Sequence, residues 1–390
     1  MQYITAGESH GSALVAIVSG VPAGLKVSKE HIDSDLARRQ RGYGRGGRQK
    51  IETDKVEFIS GVRFGKTIGS PVSVLIKNID AASWTEIMSP TNPAPKDLKR
   101  EVTPRPGHAD LVGALKTDTD DCRNVLERSS ARETAARVAA AGIAREFLAD
   151  LGVEVFSYVT RIGSAEYTEE EPMVQAPDYK PLSIELSEVR CPSEEASERM
   201  KAEIDKAKEA GDSLGGTFRV VATGLIPGLG GYVSGSERLT SKLGAALLSI
   251  PAIKGVEFGL GFDAAKLPGS QVHDQICVSK KDGFYRTQNN AGGLEGGMTT
   301  GMPLIITAAM KPIPTLMKPL NTVNIDTLET AEASSERSDV CAVPSAAVVA
   351  EAEVAFVLAQ AYLDKFGSDN MSDIKAAIKA YNQRLKTVSR

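Results

Sequence analysis

Residues 12–25 read SALVAIVSGVPAGL, and residues 216–229 read GTFRVVATGLIPGL. Each opens on an apolar run of strand-forming residues and closes on a turn that carries proline and glycine. The likeness continues downstream in the same order. Ile32 and Leu36 line up with Leu239 and Leu243 at helical spacing, and Val56-Glu57-Phe58 recurs as Val256-Glu257-Phe258. Gly69-Ser70-Pro71 recurs as Gly301-Met302-Pro303, each opening an apolar strand. Every match is short, but their shared order points to a duplicated strand–helix–strand unit. The chain then reads as one fused domain over residues 1–390, with repeats of about 1–160 and 212–366 and a helical tail at 367–390. A ligand is expected where the two halves meet.

The remaining elements fall around this frame. Ala13–Ser19 is predicted as a buried strand, and Ser28 as the cap of a helix running to about Gln40. Further strands are expected at residues 55–61 and 71–76. Residues 80–99, with Trp84, Pro90, Pro93 and Pro95, read as a long irregular insertion or lid. Residues 103–110, TPRPGHAD, form a rigid turn that delivers Arg105 and His108 ahead of a short helix. In RSSARETAARVAAAGIAREFLADL, residues 128–151, Ser130 and Glu133 match a capping box, so a helix is expected from Ser130 to Gly152. A strand at 153–161, surface at 172–190 and a charged amphipathic helix at 193–210 closed by Gly211 follow. The second half adds the glycine-rich stretch 289–301, a stiff KPIPT at 311–315, a loop carrying Arg337 and Asp339, and a long apolar helix over 346–366.

The composition is that of an ordinary soluble globular protein: 42% hydrophobic and 25% charged, with a net charge of −4. A dedicated nucleic-acid binder is usually net basic. The four cysteines, Cys122, Cys191, Cys277 and Cys341, form no CxxC pair, which argues against a zinc site and fits a reducing cytoplasm. No signal peptide and no membrane span is expected.

Against that acidic background, residues 38–48 read RRQRGYGRGGR. Planar, permanently charged guanidinium grips phosphate or carboxylate two bonds at a time, and glycine lets backbone close on a ligand. The stretch alone is compatible with a solvated basic loop, an RGG-like RNA-binding segment, or a cradle for a small polyanion. His10, in GESHG, and His108, in RPGHAD, sit in glycine-flanked loops and are candidates for acid–base work. His31 and His273 read as structural or surface residues. Arg132, beside Ser129 and Ser130 at a helix start, fits an anion cradle, although a simple cap with a surface ion pair is equally compatible. The 289–301 stretch lacks the ending of a P-loop, and neither a nicotinamide fingerprint nor a nucleophile elbow is present.

In their order these motifs resemble the chorismate synthase family over nearly the whole length. The resemblance rests on GESHG (7–11), RRQRGYGRGGR (38–48), RPGHAD (105–110), SSARET with RVAAAGIA (129–144), DSLGG (212–216), KLGAALLSIPAIKGVEFG (242–259), NNAGGLEGG with GMP (289–303), KPIPT (311–315) and RSDVCAVP (337–344). It implies an α+β fold, a β-α-β sandwich of two pseudo-repeated halves with helices packed between antiparallel sheets. It implies a carbon–oxygen lyase that eliminates phosphate from 5-enolpyruvylshikimate 3-phosphate to give chorismate, a trans-1,4-elimination. Reduced FMN is needed without net redox change, with NADPH as an indirect reductant. By the same resemblance His108 protonates the leaving phosphate, His10 holds a proton beside the flavin, and Asp339 works with flavin N5 as base. Ser9, Ser130, Ala131, Arg132, Pro251, Ala252, Gly296, Lys311, Pro312, Ile313, Pro314, Thr315 and Arg337 are the implied FMN contacts. Arg39, Arg45, Arg48, Arg105 and Arg132 are implied for substrate, with Arg39 and Arg45 also associated with NADPH. No metal is implied. A cytoplasmic homotetramer served by an external flavin reductase is expected, with no nucleic-acid or membrane partner. Two other readings remain, an RNA-binding module and a flavin-independent phospho-sugar enzyme.

Overall fold

The computed structural model describes residues 1–47, 53–168, 182–279, 283–334 and 338–388. Its frame is two antiparallel sheets. The first holds β1 (Gln2–Ala6), β2 (Ala13–Ser19), β3 (Val56–Ser60) and β4 (Val72–Lys77), in the order β1-β2-β4-β3. The second holds β5 (Glu154–Ile162), β6 (Gly216–Thr223), β7 (Ile253–Phe258) and β8 (Leu304–Met310), in the order β5-β6-β8-β7, with a short strand at Ala165–Glu166 on the β5 edge.

The orders are the same, and so is the register. Leu14 pairs with Ile76 and Ala16 with Val74 in the first sheet, while Phe218 pairs with Ala308 and Val220 with Ile306 in the second. At the far edge Val56 faces Ile76 and Phe58 faces Val74, as Val256 faces Ala308 and Phe258 faces Ile306. Strand alternation explains why: Leu14, Ala16 and Val18 are buried on one side of β2, and Phe218, Val220 and Ala222 on one side of β6. A slip of one residue would turn either set out to solvent. The fold is α+β, with two sheets of like strand order; β5, at the end of the stretch expected as the first repeat, lies in the second sheet.

Helices fill the space between the sheets. α1 (Lys29–Gln40) starts at Ser28, whose hydroxyl accepts from the His31 N–H at 3.2 Å, and it buries Ile32 and Leu36. Two short helices follow, α2 (Asp110–Thr117) and α3 (Arg123–Ser129), and then α4 (Thr134–Asp150). Beyond β5 come α5 (Leu182–Leu186), α6 (Glu194–Glu209), α7 (Leu239–Leu248), the single turn α8 (Gly269–Val272), α9 (Val343–Phe366) and α10 (Met371–Val388). α1 and α4 lie on the first sheet, α7 and α9 on the second, and α4 packs along α9. Buried alanines line both α4 and α9, which lets the two axes approach closely. Gly142 of α4 is required against α1, because a Cβ at that position would stand 2.7 Å from Ile32.

Three expectations need correction. α9 is long and apolar enough to cross a membrane by length and composition, which the sequence reading overlooked; 94% of its apolar window is buried between the other elements. It also carries Glu351, whose carboxylate takes Arg38 and Arg145 at 2.8 and 3.0 Å through one oxygen and Arg190 at 3.0 Å through the other.

The helix expected from Ser130 begins at Thr134. Ser130 instead ends α3 and caps a single 3-10 turn, Ala131–Glu133. Its own N–H is already given to Leu126 at 3.0 Å, so Glu133 has no reason to reach back; it pairs with Arg137 at 2.8 Å, and no capping box closes. Nor is the stretch before Arg190 simple surface. Residues 169–181 lie outside the described part, but Ile184 packs over Phe156, Tyr158 and Val221 on the second sheet, and Arg190 is buried against Glu351.

Candidate active site

The first wall of the site is the turn between β1 and β2. Gly7 opens it at φ +108°, where a Cβ would stand 2.4 Å from the Ala13 carbonyl. Asn78, just past β4, stitches the turn shut by donating from Nδ2 to the carbonyls of Glu8, Ser9 and Gly11 at 3.1, 3.4 and 2.7 Å. Ser9 is buried, and its N–H donates to the Glu127 carbonyl at 2.9 Å. His10 is held by Glu127 of α3, which accepts from the His10 backbone N–H at 2.8 Å and meets Nδ1 at 2.9 Å. With Nδ1–H given to the carboxylate, the neutral imidazole carries its lone pair on Nε2. Trp84 of the 80–99 segment stacks on the imidazole at a centroid distance of 4.0 Å, and Arg123 lies over Trp84. Burial opposes ionisation of Glu127, but the hydrogen bonds and charge of His10, with Arg123, outweigh it and keep the carboxyl below its ordinary range.

The second wall repeats the device with other residues. The prolines of TPRPGHAD and Gly107 at φ +80° fold a tight turn. In it His108 Nδ1 meets Asp110 Oδ1, and Arg105 donates from Nε to Asp110 Oδ2 at 2.9 Å. Burial works against the Asp110 charge, yet His108 and Arg105 hold the carboxyl far below the usual range. The turn is fastened to the second half. Arg105 Nη1 donates to Thr315 Oγ1 at 3.0 Å, and Lys311 Nζ donates to the Gly107 carbonyl at 2.6 Å. Burial, with Lys254 close by, lowers the Lys311 ammonium below its ordinary value. Ser213 steadies the same segment by donating to the Ile313 carbonyl at 2.7 Å, and Pro314 lies against Gly107.

Against the first wall the arginines converge. Arg39, in the last turn of α1, and Arg132, in the 3-10 turn before α4, share the buried carboxylate of Asp54 at 2.9 and 2.6 Å. Arg132 Nε also donates to Asn78 Oδ1 at 2.9 Å. Arg45 pairs with Asp339 at 2.7 Å, and the Gly46 N–H donates to the other oxygen of Asp339 at 2.6 Å. Val340 N–H donates to the Gly44 carbonyl at 2.8 Å, so the glycine-rich loop lies directly on the 338–341 segment. Burial pushes the Arg39 guanidinium down to about 10, Asp54 pulls it up, and the nearby charges of Arg132 and Arg45 press it down again. It is still a cation at neutral pH. Arg39 Nε and Arg45 Nε are both buried with no hydrogen-bond acceptor among the described residues. Cations this close, with buried donors unspent, suit a ligand carrying several negative charges. Because Arg38, Arg39 and Arg45 turn inward to carboxylates, the loop is poorly placed to lie along a nucleic-acid strand.

Contacts join the residues singled out from the sequence in two groups: Ser9, His10, Arg39, Arg45, Ser130, Ala131, Arg132 and Asp339 around Asn78, Glu127 and Asp54, and Arg105, His108 and the 311–315 segment around Asp110. Ala252, at φ +68°, follows Pro251 and joins this group through its carbonyl, which accepts from the Lys311 N–H at 2.9 Å. Gly296 stands apart. It sits in the turn of the Leu294–Glu295 and Met298–Thr299 hairpin, beside the Leu304 end of β8, whereas Lys311 follows the Met310 end. Seven residues of strand put those ends roughly 20 Å apart. Arg48 and Arg337 lie outside the described residues. His31 pairs with Glu146 on the surface. Sequence reading missed Asp54, Asn78, Asp110 and Glu127. Of these only Asp110 had a local signal, two residues after His108. Among the described residues no cluster of three histidine, cysteine or carboxylate ligands could hold a metal.

Comparison with known proteins fits this geometry. The chorismate synthase family model matches residues 1–363. The chorismate synthase of Geobacter sulfurreducens is 54% identical over 389 residues, which cover 98% of each chain. Chorismate synthase 2 of Bacillus anthracis is 53% identical over 387 residues, 98% of this chain and 99% of its own. The chorismate synthase of Symbiobacterium thermophilum is 54% identical over 391 residues, 99% of each. A crystal structure of a chorismate synthase superposes with a TM-score of 0.80 at 41% identity, covering 99% of this chain and 98% of the other.

Proposed function

The chain belongs to the chorismate synthase family, whose reaction converts 5-enolpyruvylshikimate 3-phosphate to chorismate and phosphate, and we propose that Arg39, Arg45, Arg105, Arg132, His10, His108 and Asp339 carry it out in this chain. The observation that carries the reading is the pair of buried Nε atoms of Arg39 and Arg45, without an acceptor among the described residues, within three clustered guanidiniums. The substrate brings two carboxylates and a phosphate, and a low-dielectric pocket admits such a load only against fixed cations.

The family uses a flavin, and reduced FMN is the form proposed here. Its phosphate suits this donor set, which includes the neighbouring Lys311 and Lys254 ammonium groups. Ser9, Ser130, Ala131, Arg132, Pro251, Ala252, Arg337 and the segment Lys311, Pro312, Ile313, Pro314, Thr315 are the residues to hold it. When bound, a reduced flavin supplies transient electron donation that helps the allylic phosphate depart. The remaining steps fall to the chain itself. His108, braced at Nδ1 by Asp110, gives a proton from Nε2 to the leaving phosphate. Arg39, Arg45, Arg48, Arg105 and Arg132 neutralise the substrate's anionic groups and fix its orientation. Asp339, fixed by Arg45 and the Gly46 N–H, serves as base for the hydrogen lost from the ring. His10, braced by Glu127 and covered by Trp84, keeps a proton and excludes water beside the flavin.

We also propose a homotetramer of single-domain chains in the cytoplasm, with NADPH acting through a separate flavin reductase. Two features support the assembly. Ile4 and Ile17 are a cross-strand pair exposed on the outer face of the first sheet, and Ile59 is exposed on its edge strand. Gly296, remote from Lys311 within one copy, can serve a flavin site only from a second copy.

The test is anaerobic. Chain, photoreduced FMN and substrate are mixed and phosphate is followed. Release that depends on reduced FMN is expected; no release, or equal release without it, refutes the reading.

A further inference from the structure

Among the described residues Asp54 is the carboxylate that Arg39 and Arg132 share. Its side chain is fully buried, with Oδ2 taking Arg39 Nη2 at 2.9 Å and Oδ1 taking Arg132 Nη1 at 2.6 Å. The two cations come from different elements, the end of α1 and the turn before α4. Each is braced further: Arg39 Nη1 donates to Thr134 Oγ1 at 3.3 Å, and Arg132 Nε to Asn78 Oδ1 at 2.9 Å. Both oxygens of Asp54 are thus engaged, and both arginines are locked in orientation. A buried carboxylate between two arginines does two things at once. It holds them at a fixed spacing against their mutual repulsion, and its charge subtracts from the field that a third anion would feel.

We propose that Asp54 is a positioning residue for the elimination, setting the aim of Arg39 and Arg132 while keeping their grip on a small free anion weak. The inference rests on the reading that these arginines face the substrate. Its chemical sense lies in the product. The reaction releases inorganic phosphate among clustered cations, and a pair of bare guanidiniums would retain it. Asp54 offsets one of those charges, so a multiply anionic substrate with matched spacing is held and the detached phosphate is let go.

The experiment compares Asp54→Asn with the unaltered full-length chain. Asparagine keeps the shape and one acceptor oxygen but removes the charge. Inorganic phosphate binding is measured by titration calorimetry without flavin, and turnover separately with reduced FMN. D54N is expected to bind phosphate about tenfold more tightly and to show tighter phosphate product inhibition, while kcat falls about tenfold or more. Damage that is merely structural would weaken phosphate binding and turnover together, and that result overturns the proposal. Asp54→Glu, which restores the charge with altered reach, is expected to return phosphate affinity to within about twofold of the starting chain while kcat stays low. If D54N fails to fold, Asp54→Ser removes the same charge and carries the same expectations. Phosphate binding by the unaltered chain with no tightening in the neutral variants overturns the role of Asp54 alone. Absence of phosphate binding in every variant overturns the arginine pair as an anion site, and the role of Asp54 with it.

Discussion

Arg45 and Asp339, drawn from opposite ends of the chain, meet at 2.7 Å, and the Gly46 N–H caps the second oxygen of the same carboxylate. The cation proposed to bind substrate and the carboxylate proposed as base are therefore each other's partners. Arg45→Ala should free Asp339 and also remove a substrate contact. The substrate KM is expected to rise about tenfold or more with a smaller change in kcat, whereas Asp339→Asn should lower kcat about 100-fold with KM little changed. Steady-state phosphate release at saturating reduced FMN separates the two patterns, and the reverse split would place Asp339 outside the chemistry.

His108 is proposed as the acid, so His108→Ala should reduce kcat by about 100-fold or more and leave substrate affinity within a few-fold. Asp110→Asn keeps the imidazole but weakens its brace, for an expected loss of about tenfold or more. Equilibrium binding under non-turnover conditions supplies the affinity. A collapse of binding with intact turnover would remove His108 from the acid role.

Trp84 is the only tryptophan in the chain, and it stacks on His10. Its emission thus reports the 80–99 segment over the first histidine. His10→Ala is expected to change both intensity and wavelength of emission, and substrate should then perturb the signal less than it does with His10 present. Identical spectra for the two chains would mean that the stack does not persist in solution.

Glu351 ties the interior to the arginine loop. Burial pushes its carboxyl up, but Arg38, Arg190 and Arg145 outweigh burial and bring it down to about 2. The folded value lies below the unfolded one of about 4.3, so the stabilisation is complete above that pH and is lost as pH falls towards about 2. Glu351→Gln should cost about 3–5 kcal/mol at neutral pH, because buried arginines lose their counter-charge. Denaturant melts at about pH 7 and about pH 3.5 should show the gap to the unaltered chain narrowing in acid.

The exposed pair Ile4 and Ile17 gives a handle on assembly. Replacing both with lysine leaves the inner face of the sheet untouched and is expected to yield a smaller species by sedimentation velocity. An unchanged sedimentation coefficient would move the interface elsewhere.

Much of the frame was legible because strand alternation and helix spacing are local. Leu14, Ala16 and Val18 fall at the offsets of Phe218, Val220 and Ala222, and the sheets repeat that register. The start of α4 was misread for a physical reason: the Ser130 N–H was already spent on α3, a helix whose short, charged sequence gave little periodicity. The candidate site was read from histidines in loops and from arginines in a loop or at helix ends. Their buried carboxylates were not legible. Asp54 and Glu127 are ordinary acidic residues in sequence and gain meaning only from neighbours far along the chain. The same holds for the burial of Ile184 and Arg190, decided by a sheet face and by a glutamate on another helix.

The clasp between the glycine-rich loop and residues 338–341 has a bearing on biosynthesis. The first histidine and the first arginines leave the ribosome early, but their counterpart at Asp339 emerges only when most of the polypeptide has been made. Until then a nascent chain holds its early cations without that partner. Products terminated before that point should be catalytically silent, however well their first sheet has formed.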